Sequence, residues 1–218
     1  MVAQKRVLLA GVTGFLGKVV LSELMRRREE LGVDRVFVLV RSTRNRTAES
    51  RFAREVANST CFASLHPEWV DYVSVVSGEL TSPNIDLEEG ALAELCAQLT
   101  HVIHCAATVE FDLSLEEATD TNVTGSLNIL ELAKRCPRLH SMISCSTCYA
   151  VPLPTDGSAI QEKLADLPFS AEAAYRDILA GRADQAALLA QSGLPNTYTL
   201  SKCLKEHMMA ARQGSVPL

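Results

Sequence analysis

Residues 196–209, NTYTLSKCLKEHMM, place a phenol and an ammonium four positions apart, at Tyr198 and Lys202. Leu200, Leu204 and Met208 form an apolar stripe, so the segment reads as a helix with Tyr198 and Lys202 one turn apart on one face. Such a pair is either a surface contact or an acid-base couple. A free phenol titrates near about 10, and a neighbouring ammonium favours the phenolate. The couple could then exchange a proton with a substrate oxygen near neutral pH. The YxxxK string alone is common, so the rest of the chain must supply a partner reaction.

That partner is suggested at the other end. The apolar run KRVLLA, 5–10, leads into AGVTGFLGK, with glycines at 11, 14 and 17 followed by an amphipathic segment, 15–30. A strand, a glycine turn and a helix form a dinucleotide-binding signature. Gly11 permits a tight turn, Gly14 lets the backbone approach a pyrophosphate, and Gly17 lets the helix pack closely. The helix N-terminus then offers free N–H groups to the anion. Thr13, Phe15 and Leu16 within the turn are candidate cofactor contacts. The bland alternative is a turn with no ligand.

The second strand, RVFVLV at 35–40, ends in Arg41, with Arg44 and Arg46 close behind. An acid there would bind a ribose 2′-hydroxyl and repel a 2′-phosphate. A cation suits the 2′-phosphate, so Arg41 points to NADPH; Arg44 and Arg46 are equally well read as a solvated basic loop. The third strand, 72–78, ends at Glu79 and Leu80, where the carboxylate either accepts from an adenine amine or faces water. The fourth, HVIHCAA at 101–107, ends in Ala106 and Ala107, small enough for backbone to approach the cofactor or simply to pack. The fifth, 141–147, ends in Ser146 and Thr147, whose hydroxyls could donate to an oxygen as hydride arrives. Lys202 is also placed to bond the nicotinamide ribose.

Helical segments at 47–58, 87–98, 116–135 and 170–192 alternate with these strands. The strands are continuously apolar, as in strands buried on both faces. The expected fold is α/β: a Rossmann-type doubly wound parallel sheet flanked by helices, over one domain, 1–218, with 150–195 as an insertion. The loosest stretch is 151–158.

Composition narrows the class. A net charge of −5 argues against nonspecific nucleic-acid binding. The odd count of seven cysteines, several in apolar runs, reads as reduced thiols of a cytoplasmic protein. Cys145 and Cys148 form a CxxC, but one at a strand end rather than opening a helix, which disfavours a redox motif. No spaced ligand set suggests a metal, and no apolar run approaches the ~18 residues of a membrane span.

The residues also carry a resemblance. GVTGFLGKVV (11–20), VFVLVR (36–41), SGELTSPNIDL (77–87), VIHCAATVEFD (102–112), TNVTGSLNILELAK (121–134), STCYA (146–150) and LPNTYTLSKCLKEH (194–207) resemble the extended short-chain dehydrogenases/reductases. Within them, they resemble the fatty acyl-CoA reductase, or male-sterility-type, family. The resemblance implies NADPH-dependent reduction of a long-chain acyl-CoA to an aldehyde and then an alcohol. A thioester reductase acting on carrier-bound acyl groups, or a non-catalytic NADP-binding module, is the alternative. Tyr198, Lys202 and Thr147, with Ser146 second, are the implied catalytic residues. Asn122 matches a family position and is read equally as a buried structural hydrogen bond. Cys148 stands where the family has Ala, and Glu79 where it has Asp. The chain is expected to stop before a sixth strand and a C-terminal substrate portion, where the resemblance would place any membrane contact.

Overall fold

The computed structural model describes residues 4–153 and 157–218, so part of the 151–158 stretch lies outside the described residues. The chain divides into two compact units. The first comprises residues up to 106, 128–145 and 215–218. Its core is a sheet of β1 (Lys5–Ala10), β2 (Val33–Val40), β3 (Val73–Ser77), β4 (His101–His104) and β5 (Ser141–Ser144). Every pair is parallel, in the order β3-β2-β1-β4-β5. The order reverses between β1 and β4, which opens a crevice at their C-terminal ends.

The run KRVLLA becomes a central strand because both of its faces are covered. Val7 and Leu9 join Val36, Val38 and Val40 in a cluster with Leu21 and Met25 of α1 (Phe15–Arg26) and with Phe52, Val56 and Phe62. Leu8, Leu39 and Val102 alternate to the opposite face and are buried there. Each such side chain contributes about 1.5–3 kcal/mol of burial. The edges differ from the expectation of strands buried throughout: β3 is only half-buried, and Ile143 of β5 is 55% exposed. The Met142 amide of β5 donates to the Pro217 carbonyl at 2.8 Å, which begins to cover that edge.

Several boundaries move. The predicted helix 15–30 ends at Arg26 and is followed by a separate turn, α2 (Arg28–Leu31), stopped by Gly32 at φ 67°. Helix 47–58 is α3 (Ala48–Arg51) running into a π-helical segment, Phe52–Ala57. The 87–98 helix is α4 (Glu89–Gln98). The fourth and fifth strands end at His104 and Ser144. One further ladder bond follows each, from the Cys105 amide to Ala10 O and from the Cys145 amide to His104 O, both 2.9 Å.

The second unit comprises residues 107–127 and 146–214. It holds α5 (Leu115–Thr119), opened by a reciprocal capping box between Ser114 and Glu117. A π-helical segment, Asp120–Thr124, leads into α6 (Gly125–Lys134), whose residues from 128 onward belong to the first unit. The predicted single helix 170–192 is two helices, α7 (Ala171–Leu179) and α8 (Gln185–Ser192). Gly181 breaks it at φ 65°, and the Asp184 side chain restarts it by accepting from the Ala187 amide. The last helix, α9 (Thr197–Arg212), is capped by Asn196, whose Oδ1 accepts from Thr199 N at 2.9 Å.

His101 supplies a pH test of the sheet. Burial, then Lys5 and His140, hold its ring below the ordinary histidine value. A depressed histidine binds protons more readily once unfolded, so its contribution is present at neutral pH and lost as pH falls below about 6.5. The melting temperature is expected to drop over that acid range, and less steeply in His101→Gln. Parallel pH profiles of the two proteins would remove His101 as the cause.

Candidate active site

The glycine turn in the first unit has little spare room. Gly11 has φ 94°, a conformation that favours glycine, and a Cβ there would lie 2.5 Å from the Ala106 amide nitrogen. A Cβ on Gly17 would lie 2.1 Å from Gly11 O, so α1 sits directly on the turn. Gly14 differs: its φ is −79°, and an added Cβ would meet only Gly11 O, at 3.4 Å. Gly14 is the N-cap of α1 and makes no side-chain cap bond, while Lys18 N makes the first bond back, to Gly14 O at 3.2 Å. The amides of Phe15, Leu16 and Gly17 thus face outward at the positive end of the helix, beside the β1–β4 crevice. Phe15 is 87% exposed. This cradle fits a dinucleotide pyrophosphate.

At the C-terminal end of β2, Arg41 is exposed and pairs with Glu79, Nη1 to Oε2 at 3.2 Å. The two residues read separately from the sequence therefore meet each other. Arg51 donates to the Arg41 carbonyl at 2.6 Å, and Arg51 and Arg46 both approach Glu55. The Arg51 guanidinium holds the Glu55 carboxyl below the usual range. Arg44 is exposed on the same loop. Leu80 is fixed through its carbonyl, which accepts from Asn128 Nδ2 at 2.9 Å.

The second unit holds Tyr198, Lys202, Thr147, Ser146 and Ala107. Tyr198 is half-buried and Lys202 buried, one turn apart on α9. Thr147 Oγ1 accepts from the Tyr149 amide at 3.3 Å, capping a short turn over Cys148–Ala150. A hydroxyl that accepts still has one proton to donate. Ser146 is exposed, as is Ala107 at the head of the 107–114 loop.

Asn122, 1% exposed in its π-helical segment, fulfils the structural role weighed for it. It accepts from Thr108 N at 2.9 Å and donates to Thr108 O at 3.2 Å and to Ser201 Oγ at 2.9 Å. Ser201 in turn donates to Tyr198 O at 2.8 Å. Burial makes this network costly to leave half-made.

Three residues not singled out from the sequence belong to this cluster. Ser201 lies three positions after Tyr198, where a hydroxyl reaches back to the preceding turn. Thr197 Oγ1 donates to Leu113 O at 3.0 Å and tethers the loop to α9. The Phe111 ring, 60% exposed, lies 5.6 Å from the Tyr198 ring between centroids. An exposed Phe in a polar loop was the available signal for the last of these. Among the described residues there is no group of three metal-ligating side chains and no helix long and apolar enough to cross a membrane.

The parallel sheet, the crevice at its switch point and the glycine cradle define a Rossmann-type dinucleotide-binding protein. The family model described as male sterility protein, an NAD-binding domain, matches residues 9–218. The chain belongs to this fatty acyl-CoA reductase family of extended short-chain dehydrogenases/reductases. It is 32% identical to fatty acyl-CoA reductase 1 of Gallus gallus over 219 residues, 94% of this chain and 40% of the relative. It is 29% identical to fatty acyl-CoA reductase wat of Drosophila melanogaster over 222 residues, 98% of this chain and 41% of the relative. The chain thus spans about two-fifths of the length of these curated relatives. Among solved structures, it resembles the terminal R domain of the myxalamid PKS-NRPS biosynthetic pathway. The TM-score is 0.73 at 26% identity, covering 96% of this chain and 46% of that one. The enzyme WbmG of Bordetella bronchiseptica, solved with NAD and UDP, shares the fold at a TM-score of 0.59 and 21% identity, over 99% of this chain and 51% of that one.

Proposed function

We propose that the chain carries the cofactor-binding and catalytic residues of a cytoplasmic, NADPH-dependent reductase of long-chain fatty acyl-CoA thioesters, yielding fatty aldehyde or fatty alcohol. The observation that carries the reading is α9 in a chain of this family: a half-buried phenol, a buried ammonium one turn on, and a hydrogen-bond network that fixes the helix backbone between them. When bound, NADPH supplies a hydride. Tyr198 gives its phenolic proton to the substrate oxygen, and the Lys202 ammonium favours the phenolate left behind. Thr147, or Ser146 beside it, donates a hydrogen bond to the same oxygen. The exposed Phe111 ring offers apolar surface to an acyl chain.

The outward amides of Phe15 to Gly17 would hold the pyrophosphate, with Gly11, Thr13 and Gly14 shaping the bend. Ala106 and Ala107 leave room for the ribose. Arg41 would take the 2′-phosphate by exchanging its Glu79 partner for a doubly charged one. Arg41→Asp is expected to weaken NADPH about tenfold or more relative to NADH, the value of a charge-assisted bond. Titration of both nucleotides measures this, and an unchanged ratio would remove Arg41 from cofactor choice.

The likeness to the terminal R domain favours a second reading, in which the acyl donor is tethered to a carrier protein. NADPH oxidation by the full-length protein, with acyl-CoA and acyl-carrier substrates compared at equal concentration, separates the two. Binding without turnover on either would leave a non-catalytic NADP module.

A further inference from the structure

Two thiols far apart in sequence lie side by side where β4 and β5 end. Cys105 Sγ and Cys145 Sγ are 3.5 Å apart. The register explains the meeting. His104 pairs with Ser144, and the Cys145 amide donates to His104 O, so Cys105 and Cys145 are the next in-register neighbours. In parallel strands such neighbours point to the same face. Adjacent strands run about 4.7–4.9 Å apart, inside the roughly 4.4–6.8 Å Cα separation that a disulfide bridges. Closing the sulfurs to about 2.05 Å needs side-chain rotation but no change of strand pairing.

Cys96 and Cys136 also meet thiol to thiol, but in the buried core. Both thiols donate to the Leu132 carbonyl, at 3.7 and 3.3 Å. Cys203 is fully buried, and burial pushes its thiol up to about 11. Cys148, the CxxC partner of Cys145 in sequence, is exposed on its own short turn. Cys105 and Cys145 are half-buried, close enough to the surface for a small oxidant to reach them.

We propose that Cys105 and Cys145 form a dithiol modification site, converted to an intramolecular disulfide by a peroxide. One thiolate attacks hydrogen peroxide: an S–O bond forms, the O–O bond breaks and hydroxide leaves. The second thiolate then attacks that sulfur: the S–S bond forms, the S–O bond breaks and a second hydroxide leaves. The two thiol protons convert the hydroxides to water, so two thiols lose two electrons and one peroxide becomes two waters. The site stands independently of whether the chain reduces acyl thioesters.

The test uses the full-length protein, reduced, desalted and exposed to hydrogen peroxide. Tryptic mapping without reductant is expected to yield one cross-linked pair joining the Cys105 and Cys145 peptides, with two titratable thiols lost and both recovered with dithiothreitol. Cys105→Ser and Cys145→Ser should each abolish the cross-link, and Cys148→Ser should leave it intact. Should a serine variant fail to fold, the wild-type map alone decides. A Cys145–Cys148 cross-link, or sulfinic acid at either residue without a 105–145 bond, overturns the proposal.

Discussion

Replacing Tyr198 by phenylalanine is expected to lower NADPH-dependent reduction by about 10²–10⁴-fold, the contribution of a positioned general acid. The change removes one oxygen and keeps the ring. The Phe111 contact, at 5.6 Å between centroids, should therefore survive. The Asn122–Ser201 bond and the Ser201 bond to the Tyr198 carbonyl involve no phenolic atom, so the helix backbone keeps its anchor. NADPH affinity and melting temperature should stay near wild type while turnover collapses. Lys202→Met would lose activity too, but it also removes a buried charge with its own contacts, so it is the less discriminating change. Retained turnover in Tyr198→Phe would transfer the proton-donor role elsewhere.

The glycine turn provides the second large effect, through a contrast. Gly17→Ala places a methyl 2.1 Å from Gly11 O and 2.8 Å from Val12 Cα, both backbone atoms that no rotamer can move. Overpacking of this kind costs typically about 1–3 kcal/mol. In a chain of this size that is a fall of roughly 2–4 °C in melting temperature per kcal/mol, with dinucleotide binding lost as α1 is displaced. Gly14→Ala meets only one atom, at 3.4 Å, and its φ of −79° suits alanine. It should melt near wild type or slightly below, because alanine is a poorer N-cap than glycine and its restriction of the unfolded chain offsets only part of that cost. Its methyl would nonetheless stand at the N-terminus of α1, where the pyrophosphate is proposed to lie, and NADPH should bind at least about tenfold more weakly. Calorimetry and nucleotide titration on the two variants distinguish a packing glycine from a ligand glycine. Equal affinities in wild type and Gly14→Ala would sink the cradle reading.

Much of this arrangement is legible from local pattern. The parallel sheet follows from apolar runs too continuous for a half-exposed strand, and the turn follows from three glycines between a strand and a helix. Tyr198 and Lys202 announce themselves because a helix converts a spacing of four into a shared face. What escaped depends on contacts between distant positions. The Arg41–Glu79 pair joins the ends of neighbouring strands, and neither residue's surroundings name the other. The CxxC string draws attention to Cys148, yet the fold also sets the Cys145 sulfur 3.5 Å from that of Cys105, a meeting made by strand register rather than chain distance. The π-helical segments at Phe52–Ala57 and Asp120–Thr124 carry no periodicity of their own. The split of 170–192 is marked by Gly181 and by the N-cap Asp184, but a single glycine does not by itself stop a helix and an aspartate also sits on a solvated helix face.

The double bond of Asn122 to Thr108 has a dynamic consequence. One amide side chain both accepts from and donates to the same loop residue while gripping Ser201 on α9. The start of that loop cannot peel away unless the amide gives up both of its bonds to Thr108 together. Its opening should therefore be all-or-none at Thr108, whose amide proton should exchange with solvent more slowly than the exposed amides that follow it in the loop.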